Sequence, residues 1–234
     1  MMDGATVYKT LTKGIDKIYI GATSLPGELL LTNSNNVPVV VNETGQVLVA
    51  ATTYGLGKIL ALTHDRYLQT ESFRKLILNS IGWMTSGKAA SSVTVGMQEW
   101  LSEFGGFLTS EGYNSDFSDN IDSSIDVFCC RSYDHIENLD GFKNFVHNGG
   151  GLIIAGQAWH FASLGISQDL MDFPEKEMKS GTYMATRYLQ LQHDDKKGKT
   201  FGSSRDKSPD TSYLVPQIHK FPGPGQVSYI IFSV

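Results

Sequence analysis

The chain has only two cysteines, and they are neighbours, Cys129 and Cys130. A bridge between adjacent residues strains the peptide that joins them, so a disulfide-stapled scaffold is excluded and a reducing compartment fits better. Long apolar runs are missing too. No stretch approaches the ~20 residues that span a bilayer, and residues 1–17 lack an apolar core of signal-peptide length. The Asn42-Glu43-Thr44 sequon therefore reads as a chance match. Basic clusters are also absent. The 19 Lys and Arg are interspersed among 24 Asp and Glu, for a net charge of −5. The basic stripe that nucleic acid binding needs does not form.

Metal and nucleotide motifs fail in the same way. No two histidines stand four apart and no Cys-x-x-Cys occurs. Gly198-Lys199-Thr200 resembles the end of a phosphate loop, but His193 stands where the first glycine belongs and no strand precedes it. Asp194-Asp195 reads as a solvated charge pair. No metal and no other cofactor is implied.

What is present is an ordinary globular pattern. A length of 234 residues suits one large domain or two small ones, and 41% hydrophobic content supports a sizeable core. Residues 1–26 carry weak signals and read as a loosely structured segment. Within 27–86, short β-prone runs at 28–32, 37–41, 46–52 and 58–63 are separated by Asn and Gly clusters, the pattern of strands joined by tight turns. Residues 69–84 then change period. Phe73, Leu76, Ile77, Ile81 and Met84 recur three and four apart, as on an amphipathic helix.

Residues 91–180 alternate. Strands are expected at 92–95, 125–130 and 152–155, and helices at 97–108 and 136–147, so the strands should pair in parallel with right-handed crossovers. The run 125–130 is apolar throughout, as in a strand buried on both faces. Gly149-Gly150-Gly151 reads as a tight helix-to-strand turn needing positive φ. Trp83, Trp100, Phe104, Phe142 and Trp159 fall at inward positions and read as core. Residues 185–234 read as a largely disordered tail, since 190–225 is polar and rich in proline and glycine.

Function classes are narrowed by the segment after the strand at 152–155. In an open parallel sheet, ligands and catalytic groups sit at the carboxyl ends of the strands. A hydrolase of this architecture places Ser or Cys there. This chain offers Gly156, Gln157 and Ala158, none of them a nucleophile. No catalytic residue is assigned. Gly156, Gln157, Trp159 and His160 are candidate ligand or partner contacts. An alternative is a small-molecule hydrolase or amidotransferase-like enzyme using His64, His160 or Gln157, with His64 beside Asp65 as a possible general base.

Three stretches carry a resemblance: PVVVNETGQVLVAATTYGLGKILALTHDRYL (38–68), LILNSIGWM (76–84) and NGGGLIIAGQAW (148–159). In this order and spacing, over 27–173, the chain resembles the amino-terminal region of the TRP channel-associated factor (TCAF) family. The resemblance implies a class I glutamine amidotransferase-like fold without its catalytic cysteine, and a cold-sensing melastatin TRP channel as partner. It also implies an influence on delivery of that channel to the plasma membrane. Full-length members carry a carboxy-terminal region similar to an M60-type peptidase. With no His-Glu-x-x-His, this chain is expected to lack that region.

The expectation is therefore an α/β protein with a flavodoxin-like or class I glutamine amidotransferase-like parallel sheet and a preceding β-rich section. Its expected function is a non-catalytic interaction module. It should reside in the cytoplasm, bind no nucleic acid and insert into no membrane, and reach the plasma membrane only through a channel partner. Its net charge of −5 repels anionic headgroups.

Overall fold

A computed structural model of the chain describes residues 3–20, 27–31, 35–43, 45–118, 121–132, 139–157, 183–189 and 227–233. In chain order the elements begin with α1 (Gly4–Leu11), β1 (Gly27–Leu31), β2 (Val37–Val41), β3 (Val47–Tyr54), β4 (Gly57–Leu62) and α2 (Glu71–Met84). There follow β5 (Thr94–Met97), α3 (Ser102–Ser110), β6 (Asn114–Asp116), β7 (Val127–Arg131), α4 (Leu139–His147), β8 (Gly151–Ala155), β9 (Tyr183–Leu189) and β10 (Val227–Ser233). The fold is α/β. Seven strands form one sheet in the order β2-β3-β4-β8-β7-β5-β6. From β4 to β6 all neighbours are parallel, while β2 and β3 add an antiparallel edge. The expected parallel strands at 92–95, 125–130 and 152–155 correspond to β5, β7 and β8 of this sheet. A smaller sheet has the order β1-β10-β9.

Alternation within the strands builds two cores. On one face Leu60, Leu62, Val95, Val127, Cys129 and Ile153 meet Leu11 of α1, Phe73 and Ile77 of α2, and Phe104 and Leu108 of α3. On the other, Ile59, Ala61, Phe128, Cys130 and Leu152 meet Phe142 and Val146 of α4 and Leu29 of β1. Fully burying a Leu, Ile or Phe side chain contributes about 1.5–3 kcal/mol, so these two faces carry the domain. The apolar residues expected at helical spacing in 69–84 are all buried in α2. Successive residues of a strand point to opposite faces. Cys129 and Cys130 therefore lie in different cores, and the pair forms no disulfide.

Some expectations need correction. Residues 3–20 are not loose: Asp3 caps α1 by accepting from the Ala5 N–H, and Val7, Leu11 and Ile18 are buried. The apolar pair four apart, one helical turn, was the signal. The helix expected over 97–108 is shorter. Met97 ends β5, a 3-10 turn spans Glu99–Leu101, and α3 begins at Ser102. Met97 and Val95 alternate as strand residues, and this alternation overrides the helical spacing of Met97 with Leu101 and Phe104. Within the expected tail at 185–234, strand β10 and all but two residues of β9 are β-structure, and residues 190–226 lie outside the described residues. Asn42 is buried, and its side chain is bonded to Gln46, so the sequon is sterically closed.

Candidate functional site

Connections define where a site belongs in such a sheet. From β5 the chain passes through α3 outward to β6. It then returns past β5 to β7 and continues through α4 to β8 in the opposite direction. The strand order therefore reverses between β5 and β7, and the crevice outside the carboxyl ends at such a reversal is the general ligand position. The residues just past those ends are Gln98 after β5, Ser132 after β7, Gly156 and Gln157 after β8, and Thr63 and His64 after β4.

These ends are held in register. Leu62, Ala155 and Arg131 are neighbours across β4, β8 and β7. One residue further on, the Gly156 N–H donates to the Leu62 carbonyl at 3.1 Å and the Ser132 N–H to the Ala155 carbonyl at 3.0 Å. A Cβ on Gly156 would lie 1.9 Å from Ser132 Oγ, so only glycine lets that hydroxyl lie against the end of β8. Gln157 is 6% exposed, and its Nε2 has no hydrogen-bond partner. Ser132 Oγ, Thr63 Oγ1 and the Tyr67 hydroxyl are likewise buried without partners. An orphaned buried polar group costs about 1–3 kcal/mol, and native interiors keep few of them.

Gln98 ties the end of β5 to the end of β7. Gln98 is buried, and its Oε1 accepts from Trp100 Nε1 at 2.9 Å and from the Arg131 N–H at 3.3 Å. Gln69 Nε2 donates to the Trp100 carbonyl at 2.9 Å. The indole so held lies under the Arg131 guanidinium, 4.6 Å from the ring centroid, a cation–π arrangement. Sequence reasoning missed Gln98, Arg131 and Ser132. Placing the strand ends at Met97 and Arg131, rather than at 95 and 130, would have found them.

Of the candidate contacts, Gly156 and Gln157 sit at this edge, while Trp159 and His160 lie outside the described residues. His64 is buried at the end of β4, where Nδ1 accepts from the Arg66 N–H at 3.1 Å and caps the 3-10 turn Asp65–Leu68. That nitrogen also lies 2.9 Å from Asp65 Oδ1. Among the described residues no Ser, Thr or Cys side chain hydrogen-bonds to His64, so the geometry gives it a capping role and no activated nucleophile. Burial pushes the Cys129 thiol well above its ordinary value, which keeps it protonated and inert. No cluster of three His, Cys, Asp or Glu is placed to hold a metal among the described residues.

Comparison with known proteins places the chain in a family. A family profile described as "TRPM8, N-terminal domain" matches residues 2–185. The chain belongs to the TCAF family. TCAF relatives include TRPM8 channel-associated factor 2 of Bos taurus, 32% identical over 187 residues, which are 79% of this chain and 20% of that protein. The TRPM8 channel-associated factor homolog of Xenopus laevis is 32% identical over 70% of this chain and 18% of its own length. TRPM8 channel-associated factor 1 of Homo sapiens is 29% identical over 92% of this chain and 22% of its own. This TCAF chain thus spans about a fifth of the length of the curated relatives it matches. Among solved structures, IMPa from Pseudomonas aeruginosa in complex with an O-glycopeptide superposes with a TM-score of 0.55. Identity there is 14%, over 66% of this chain and 19% of that one. That likeness concerns the fold alone.

Proposed function

We propose that this chain is a non-catalytic interaction module that associates with a TRPM8-type channel, regulates it and promotes its delivery to the plasma membrane. The observation that carries the reading is the likeness, at about 30% identity over most of the chain, to proteins named for their association with that channel. The carboxyl edge supports the non-catalytic part. Gly156 and Gln157 follow β8 where a hydrolase keeps its nucleophile, the next residue in the sequence is Ala158, and His64 is engaged as a cap. Among the described residues no helix is long and apolar enough to cross a membrane. Membrane enrichment is accordingly assigned to protein contact, from the cytoplasmic side.

The test is co-purification and fractionation of the tagged chain from cells with and without the channel. Channel-dependent membrane recovery, with surface channel rising when the chain is present, is the expected result. Equal membrane association in both cell types would refute partner-dependent recruitment, and no association in either would refute channel binding by this chain. Hydrolysis of ester, amide or peptide substrates that vanished with His64→Ala would overturn the non-catalytic reading.

A further inference from the structure

Ser72, Lys75 and Asn79 follow one another along one face of α2, at spacings of three and four. Two of them fasten residues 12–20 across the helix. Asn79 Nδ2 donates to the Leu11 and Lys13 carbonyls at 2.9 Å, and Ser72 Oγ donates to the Tyr19 carbonyl at 2.6 Å. Ile18 anchors the same segment in the core. Between the fastenings lies a concavity of about 480 Å³, lined by Gly14, Asp16, Lys17, Tyr19 and Lys75. Its size is that of natural ligand sites, about 300–1,000 Å³. At Gly14 an added Cβ would lie 3.7 Å from Lys75 Cε, so segment and helix form its two walls.

The third residue of the helical stripe is the unused one. Among the described residues Lys75 makes no hydrogen bond or ion pair, and neither does the Asp16 carboxylate of the same concavity. Lys17 lines it too but has a partner of its own. The Tyr19 ring is 60% exposed, although its backbone is tied down by Ser72. Two lysines against one aspartate make the lining positive on a chain of net charge −5, and the exposed Lys13 adjoins Gly14. Such a wall complements a negative partner. A phosphate or nucleic acid would set dense negative charge against Asp16 and offer it no donor. A polypeptide with acidic side chains supplies a carboxylate, an N–H and apolar contact together. We propose that the concavity between residues 12–20 and α2 docks a short acidic segment of a partner protein, with a carboxylate on Lys75, a peptide N–H on Asp16 and an apolar side chain on Tyr19. Because both walls are already fastened, docking needs little reordering of the chain. The inference stands apart from channel association, because it is read on purified protein.

The experiment is a titration of the isotope-labelled full chain, followed by NMR, with the peptide acetyl-Glu-Leu-Glu-Leu-Glu-amide. The same peptide with lysine for glutamate, free glutamate and inorganic phosphate serve as comparisons at constant pH and ionic strength. Saturable shifts are expected for the acidic peptide, confined to the backbone amides of 13–20 and 71–79, and binding should weaken as salt rises. Lys75→Glu should weaken it about tenfold and Tyr19→Ala about fivefold. Both side chains are exposed, so both variants should keep the fold. Asp140→Asn, on α4 across the sheet, should leave binding unchanged. Shifts that never saturate, equal binding of the lysine peptide, or binding that survives Lys75→Glu would each overturn the proposal. Phosphate or free glutamate binding as tightly as the peptide would overturn it as well, since the concavity would then hold a small anion.

Discussion

The two ends of the central sheet are packed differently. At the amino end, chain segments close tightly on one another. Gly57, which opens β4, lies so near α4 and the glycine turn that an added Cβ would stand 2.1 Å from the Val146 carbonyl and 2.4 Å from that of Gly150. The Leu56 N–H bonds to the His147 carbonyl. Lys58 reaches across to the final carbonyls of α2, at Trp83 and Met84, and to Ser86 Oγ. Buried polar atoms with no partner are more numerous at the carboxyl end, at Thr63, Tyr67, Ser132 and Gln157, than at the amino end, where Thr52 Oγ1 and Trp83 Nε1 are such atoms. One end satisfies the backbone groups that a helix terminus orphans. The other keeps polar groups that folding alone does not require. Departures from local consistency of this kind collect at functional sites, which is why the carboxyl end holds the candidate site.

The sharpest test of this contrast is Gly57→Ala. Both atoms that its Cβ would strike are backbone carbonyls, which cannot rotate away. A loss of about 3 kcal/mol is expected in denaturant unfolding, at the upper end of ordinary overpacking. A loss below about 1 kcal/mol would show that the amino end is not closed as described.

Lys58→Met comes next. Methionine keeps most of the apolar stem but removes the ammonium group that the Trp83 and Met84 carbonyls accept from. A cost of about 1–2 kcal/mol is expected, with fraying at the end of α2 visible as faster amide exchange over 81–85. Unchanged exchange there would assign Lys58 no capping role.

How far the sequence revealed these two ends depends on the element. The fold was legible where one period ran unbroken. Strand β7 was signalled by its continuous apolar run, and α2 by Phe73, Leu76, Ile77 and Ile81 at three and four residue spacing. It was less legible where two periods competed. Met97 fits a helical face with Leu101 and Phe104 and also a strand face with Val95, and tertiary pairing with β7 decided in favour of the strand. Residues Gly4–Leu11 were too short to register as a helix without the packing of α2 behind them. The candidate site was half legible. Gly156 and Gln157 follow a strand that the sequence marks plainly. Ser132 meets Gly156, and Gln98 meets Arg131, only through the crossovers that set β7 between β8 and β5, a long-range relation that no local window contains.

At the carboxyl end the expected sign reverses. Thr63→Val keeps the shape and removes a buried hydroxyl without a partner, so it should stabilise by about 1 kcal/mol in the same unfolding assay. A destabilisation of that size would mean that the hydroxyl is satisfied, and the contrast between the ends would be weakened accordingly.

The smallest effect is expected for Tyr67→Phe at neutral pH, and there pH makes it readable. The ring is fully buried and stacks on Phe73 at 4.3 Å between centroids, a contact that phenylalanine preserves. The hydroxyl lies near Thr63 but outside hydrogen-bond geometry, so its removal at pH 7 should change stability by less than about 1 kcal/mol, toward greater stability. Burial pushes the Tyr67 hydroxyl well above its ordinary value of 10.0, and the Cys129 thiol above 9.0. Both groups are acids that stay protonated in the native state, while the unfolded chain releases their protons as pH passes those ordinary values. The unfolded state then binds fewer protons than the native one, so stability is full below about pH 9 and falls as pH rises beyond it. Tyr67→Phe removes the share of that fall that begins near pH 10 and leaves the share of Cys129. Denaturant midpoints measured at pH 7 and at pH 10.5 should therefore separate further in favour of the variant at the higher pH. Parallel losses in the two proteins would mean that Tyr67 is solvated in the native state and that the carboxyl end is open to water.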